Sequence, residues 1–138
     1  MRIFLDANIL FSAARSDGAE RRLLEDLRQA GHQCVADGYV TGEARRNLEI
    51  KCPSALSSLS RILEHVDACR HVAPAASHKQ IQSLPEKDRP VLAAAIHLGC
   101  QAMVTGGKMH FGALYGLTIG GVTIHSPQSL AEGLLGIR

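Results

Sequence analysis

Tryptophan is absent, and aromatic residues make up only 4% of the 138-residue chain, as three Phe and two Tyr. The core must therefore be built from aliphatic side chains, and a hydrophobic content of 46% supplies them. Long apolar runs are missing too: none approaches the roughly 18 residues of a membrane-spanning helix. The N-terminus enters an apolar run at once, without the basic start, apolar stretch and cleavage site of a signal peptide. A soluble cytoplasmic protein is the expectation. Charge of one sign is scarce, since 15 Lys and Arg against 13 Asp and Glu leave +2, too little to name a partner. The four cysteines include no Cys-x-x-Cys pair and no nearby histidine at zinc-site spacing, which argues against structural zinc or a disulfide framework. They read as reduced, mostly buried thiols. No repeat, linker or low-complexity segment divides the chain, and its length suits one domain spanning 1–138.

What is present is a sharply written opening. Ile3, Phe4 and Leu5 form an apolar run too short for a helix, and Asp6 ends it. In open α/β sheets the carboxyl ends of strands form the crevice where ligands collect. Taken alone, Asp6 serves equally well as a ligand there or as the cap of a helix beginning near Asn8. Leu23, Leu24 and Leu27 share one face of an amphipathic helix over 18–30, and a second strand follows over 32–36. The chain then passes through Asp37-Gly38 into a helix carrying Glu43, which is either a site residue or a solvent-facing acid beside Arg46 and Asn47.

Helical spacing of Leu56, Leu59, Ile62, Leu63 and Val66 predicts a helix over 54–68 with Ser54 as its cap, followed by a weak strand over 70–73. His65 and His71 show no ligand-like arrangement. A short helix is expected over 77–83. Asp88 then stands at the start of another, either as its cap or first-turn acid or as a site residue, with Pro90 in the first turn and Gly99 at the end. A strand over 101–104 gives way to Thr105-Gly106-Gly107, whose spacing is neither a P-loop nor a dinucleotide fingerprint. One last strand over 117–124, interrupted by Gly120-Gly121, and a helix opened by Ser126-Pro127 complete the chain. Strands alternating with helices imply a parallel sheet covered on both faces, a three-layer α/β domain.

Asp6, Glu43 and Asp88 each fall at a strand end or in the first turns of a helix, so a doubly wound sheet could gather them at one edge. Carboxylates brought together repel one another and are costly to desolvate; such a cluster persists chiefly by binding a hard cation. Oxygen ligands with open positions suit Mg²⁺ or Mn²⁺.

At these residues the sequence resembles the PIN-domain family, including the ribonuclease toxins of VapC-type toxin–antitoxin pairs. The resemblance is carried by Leu5-Asp6-Ala7-Asn8-Ile9-Leu10-Phe11-Ser12, by Glu43, by the run from Lys87 to Ala95, and by Val104-Thr105-Gly106 with Lys108, His110, Phe111 and Gly112. It implies a mostly parallel five-stranded α/β/α fold, a metal-dependent nuclease site at the strand ends and RNA as substrate. Asp6, Glu43 and Asp88 match three of the family's metal ligands, while Gly107 stands where a fourth acid is common and offers no side-chain oxygen. By the same analogy a cognate antitoxin and a homodimer are expected.

The mechanism that follows is phosphodiester hydrolysis with Mg²⁺ held chiefly by Asp6 and Asp88, and Glu43 orienting or deprotonating the attacking water. Asn8 and Thr105 would hold Asp6 and the glycine turn in place. Arg45, Arg46, Lys87, Arg89 and Lys108 could contact RNA phosphates, or be scattered solvated charges. The competing expectation is a degenerate PIN scaffold that binds RNA or protein without cutting.

Overall fold

The order of strands in the sheet places the chain's first strand at its centre. A computed structural model describes residues 1–69, 79–82, 84–107 and 111–136. Its six-stranded sheet runs β3-β2-β1-β4-β6-β5. The strands are β1 (Arg2–Leu5), β2 (Gln33–Ala36), β3 (Asp67–Ala68), β4 (Ala102–Val104), β5 (Thr118–Ile119) and β6 (Val122–His125). All neighbours are parallel except β5 and β6. Ile3, Phe4 and Leu5 are wholly buried, as a run that lies between two parallel strands and under helices must be.

Six described α-helices surround the sheet: α1 (Ala7–Arg15), α2 (Ala19–Gln29), α3 (Gly38–Lys51), α4 (Leu56–Leu63), α5 (Lys79–Gln82) and α6 (Arg89–His97). A seventh, α7 (Pro127–Leu130), passes into a π-turn (Ala131–Leu135). Their limits follow local chemistry. Asp37 caps α3 by accepting a hydrogen bond from the Val40 amide at 3.1 Å. Ser126 and Ser129 form a capping box at α7. The alanines of α6, Ala93 to Ala95, are buried, as in a helix that must lie close on the sheet.

Three sequence expectations are corrected. The sheet has six strands instead of five, because 117–124 is a hairpin: Gly120 and Gly121 have φ of 58° and 83°, the left-handed pair that a tight antiparallel turn requires. The helix expected over 54–68 is a 3₁₀ turn (Pro53–Ala55) followed by α4, so Ser54 lies inside the turn instead of capping the helix. Asp67 and Ala68 pair with β2 in place of extending α4. The strand expected over 70–73 lies outside the described residues, and of the helix expected over 77–83 only Lys79–Gln82 is described, as helix. Among the described residues no helix is long and apolar enough to cross a membrane.

Candidate active site

The chain adds β2 and β3 on one side of β1 and then returns to the other side with β4, so β1 and β4 flank the point where the winding direction reverses. Crevices form at the carboxyl ends of strands around such a point. Asp6 follows β1 and Thr105 follows β4, and the Asp6 amide donates to the Val104 carbonyl at 3.1 Å, which fixes the two ends side by side.

Asp6 is both a cap and a candidate ligand. Its Oδ1 accepts the Ala7 amide at 2.7 Å, closing the first turn of α1. Its Oδ2 accepts the Thr105 hydroxyl at 2.7 Å and Asn8 Nδ2 at 3.3 Å. Asn8 also donates to Thr105 Oγ1 at 3.3 Å, and its own Oδ1 accepts the Gly106 amide at 2.8 Å. Thr105 Oγ1 further accepts the Gly107 amide at 3.0 Å, and the Thr105 carbonyl takes the Tyr115 hydroxyl at 2.8 Å. One network thus locks the start of α1 to the glycine turn, with Asp6 and Thr105 both buried.

Asp6, Glu43 and Asp88 line one cavity of about 260 Å³, together with Asn8, Phe11, Asn47, Lys51, Gly107 and Phe111. Glu43 reaches it because it lies half-buried on the inner side of α3, beyond the first turn. Asp88 precedes α6 without making a side-chain cap hydrogen bond, so capping does not account for it. Burial pushes the Asp6 carboxyl above its ordinary value; the Thr105 hydroxyl and Ala7 amide oppose the shift, and the negative charge of Asp88 adds to it. Tyr39 is raised by burial and then by the charges of Glu43 and Asp88, opposed by Arg46, with Asp6 adding to the rise, so the three acids and Arg46 act on the same neighbourhood.

The donors are all oxygens, which suits a hard divalent cation. Among the described residues no group of three His, Cys, Asp or Glu side chains already stands at ion-sharing separation, so the cavity brings the acids together without closing them on one point. At Gly107 an added Cβ would lie 3.2 Å from Thr105 Oγ1 and 3.4 Å from Asn8 Nδ2, a tight fit against the network that holds Asp6.

The cations named from sequence are dispersed. Arg45 lines a separate hollow with Thr41, Leu63 and Cys69. Arg46 is exposed one turn beyond Gly42 on α3. Arg89 donates to the carbonyls of Leu84 and Gln82, both at 3.1 Å. Lys108 and His110, like the side chain of Lys87, lie outside the described residues. Sequence reasoning gave no site role to Phe11, Asn47, Lys51 or Tyr39, although Tyr39, Glu43, Asn47 and Lys51 recur every fourth residue and so form one row along α3.

The strand order and three-layer arrangement define a PIN-like α/β/α fold. No family model matches the sequence, and no curated protein matches it. Among solved structures, the chain is similar to one in VapBC2 from Rickettsia felis bound to a DNA fragment from their promoter, with a TM-score of 0.65 and 14% identity over 91% of this chain and 98% of that one. It is also similar to a chain of VapBC-1 from nontypeable Haemophilus influenzae, with a TM-score of 0.59 and 11% identity over 93% and 99% of the two chains.

Proposed function

We propose that the protein is a metal-dependent endoribonuclease and the toxin of a toxin–antitoxin pair. The observation that carries this reading is the meeting of Asp6, Glu43 and Asp88, from three separate chain segments, in the wall of one cavity at the switch point of the sheet. The likeness to chains of VapBC structures supports a partner protein; that this partner covers the cavity, and that the chain forms a homodimer, are proposed with it.

Asp6 and Asp88 would hold Mg²⁺ or Mn²⁺, with Glu43 closing on it by rotation about its side-chain bonds. The ion would supply a bound water of lowered pKa and a positive charge against the phosphate. Thr105, Asn8 and the Ala7 amide fix the Asp6 carboxylate by taking three of its acceptor positions, so an ion would use the position left on Oδ1. Glu43, as a carboxylate, would orient the attacking water or take its proton. With Gly107 in place of a fourth acid, waters and a substrate oxygen would complete the shell, as Mg²⁺ ordinarily permits.

The test is cleavage of single-stranded RNA with Mn²⁺, Mg²⁺ or EDTA. Cleavage should require the metal and fall at least 100-fold in Asp6→Asn and in Asp88→Asn, while both variants keep the melting behaviour of the native fold. Equal residual cleavage in wild type and both variants would refute the assignment. RNA binding that is unaffected by EDTA and never followed by cleavage would favour a second reading, a non-cutting RNA-binding module, which the unclosed arrangement of the acids and the missing fourth acid support.

A further inference from the structure

We propose that Phe11, Arg15 and Lys51 form a nucleotide subsite at the rim of the acidic cavity, stacking one base of single-stranded RNA and gripping the phosphate beside the one to be cut. The inference rests on the ribonuclease reading and deepens it.

Of the three phenylalanines, Phe4 and Phe111 are fully buried, at 0% and 1% exposure; Phe11 is only partly buried, and its ring forms part of the cavity wall. Two cations from different helices converge on it. Arg15, one turn further along α1, places its guanidinium carbon 5.9 Å from the ring centroid, and Lys51, the last residue of α3, places its ammonium nitrogen 5.6 Å from it. Each cation also suits the C-terminus of its own helix, but that preference does not require the two to meet on one ring.

The charge layout gives the convergence a use. A cavity with three carboxylates repels the polyanion it is to cut, so binding needs cations at the rim, clear of the acids. Glu43, Asn47 and Lys51 lie in one row on α3, and the eight-residue offset puts about 12 Å of helix between acid and cation. Lys51 is the cation in the described cavity wall, whereas Arg45 lines another hollow and Arg89 is engaged by carbonyls. Ring contact holds both cations near one orientation, so less freedom is lost when they take up phosphate. A base sliding onto the ring displaces a cation head, which swings to the adjoining phosphate while its stem stays in place.

The experiment measures fluorescence anisotropy of a labelled single-stranded RNA in EDTA, across a salt series, for wild type, Lys51→Gln, Arg15→Gln, Phe11→Leu and the control Arg22→Gln on α2. Each removed subsite cation should flatten the slope of log affinity against log salt by roughly 0.7. Phe11→Leu should weaken binding roughly ten-fold with the slope kept. Arg22→Gln should match wild type. Lys51 and Arg15 are exposed, so their variants stay informative if Phe11→Leu disturbs the packing of α1. If wild type binds and cuts RNA while Lys51→Gln and Arg15→Gln keep its slope, or if Arg22→Gln flattens it equally, the subsite is overturned and the ribonuclease reading survives. If wild type neither binds nor cuts, both fall together.

Discussion

Thr105 does more at this site than its size suggests. Its hydroxyl, fully buried, donates to Asp6 and accepts from Asn8 and the Gly107 amide, so one oxygen joins the acid, the start of α1 and the glycine turn. Thr105→Val keeps the shape and removes the oxygen, leaving a buried carboxylate and an amide less satisfied. We expect a loss of about 1–3 kcal/mol in denaturant unfolding, with Thr105→Ser recovering most of it. If Val and Ser variants unfold alike, the network is not what holds Asp6. Asn8 and Thr105 were both legible as residues that hold Asp6 and the glycine turn; which atoms do so, with the Asn8 carbonyl taking the Gly106 amide and its amide shared by Asp6 and Thr105, needed coordinates. Of the four cysteines, read from sequence as mostly buried thiols, Cys34 and Cys100 are buried and burial pushes their thiols up to about 11, while Cys52 and Cys69 are only partly buried.

Among the elements, α6 shows how far local signals carry. Pro90 and Gly99 bracket the helix from sequence, and the observed span is Arg89–His97. What sequence did not give is the role of Arg89, whose guanidinium ties the carbonyls of Gln82 and Leu84 to the helix start beside Asp88. Arg89→Ala should therefore cost about 1 kcal/mol of stability and leave the salt dependence of RNA binding at the wild-type slope. A flattened slope with unchanged stability would instead make it a phosphate contact. The α4–β3 boundary was illegible for a different reason. Asp67 and Ala68 are exposed and carry no strand pattern, and only the neighbouring edge of β2 makes them a strand.

For the whole molecule, the raised Asp6 carboxyl links folding to protons and, on the proposed reading, to metal. Its folded value lies above the ordinary 3.8, so the metal-free fold favours the protonated form. That stabilisation is fully present below 3.8 and is lost as pH rises through the raised value. On the proposed reading a divalent cation held by Asp6 would replace the proton, and at a hundred times its dissociation constant would stabilise the fold by about 2.7 kcal/mol. Melting in a pH series should show a Mn²⁺-induced rise in Tm that grows across this window in wild type and is absent in Asp6→Asn. A Mn²⁺ shift of equal size in both proteins would place the ion elsewhere.

By itself the sequence determined the alternation of strand and helix, the buried opening strand and the three acids at element junctions, because periodicity, caps and turn residues act over a few neighbours. Only the tertiary structure decided that β1 sits at the centre with β4 beside it, that Gly120-Gly121 reverses a strand into a hairpin, and that the row on α3 turns its acid, amide and lysine toward Asp6. Those outcomes depend on which distant segments pair and pack. Such long-range contacts leave no local pattern, so the cavity could be anticipated from its acids but not its aromatic and cationic rim.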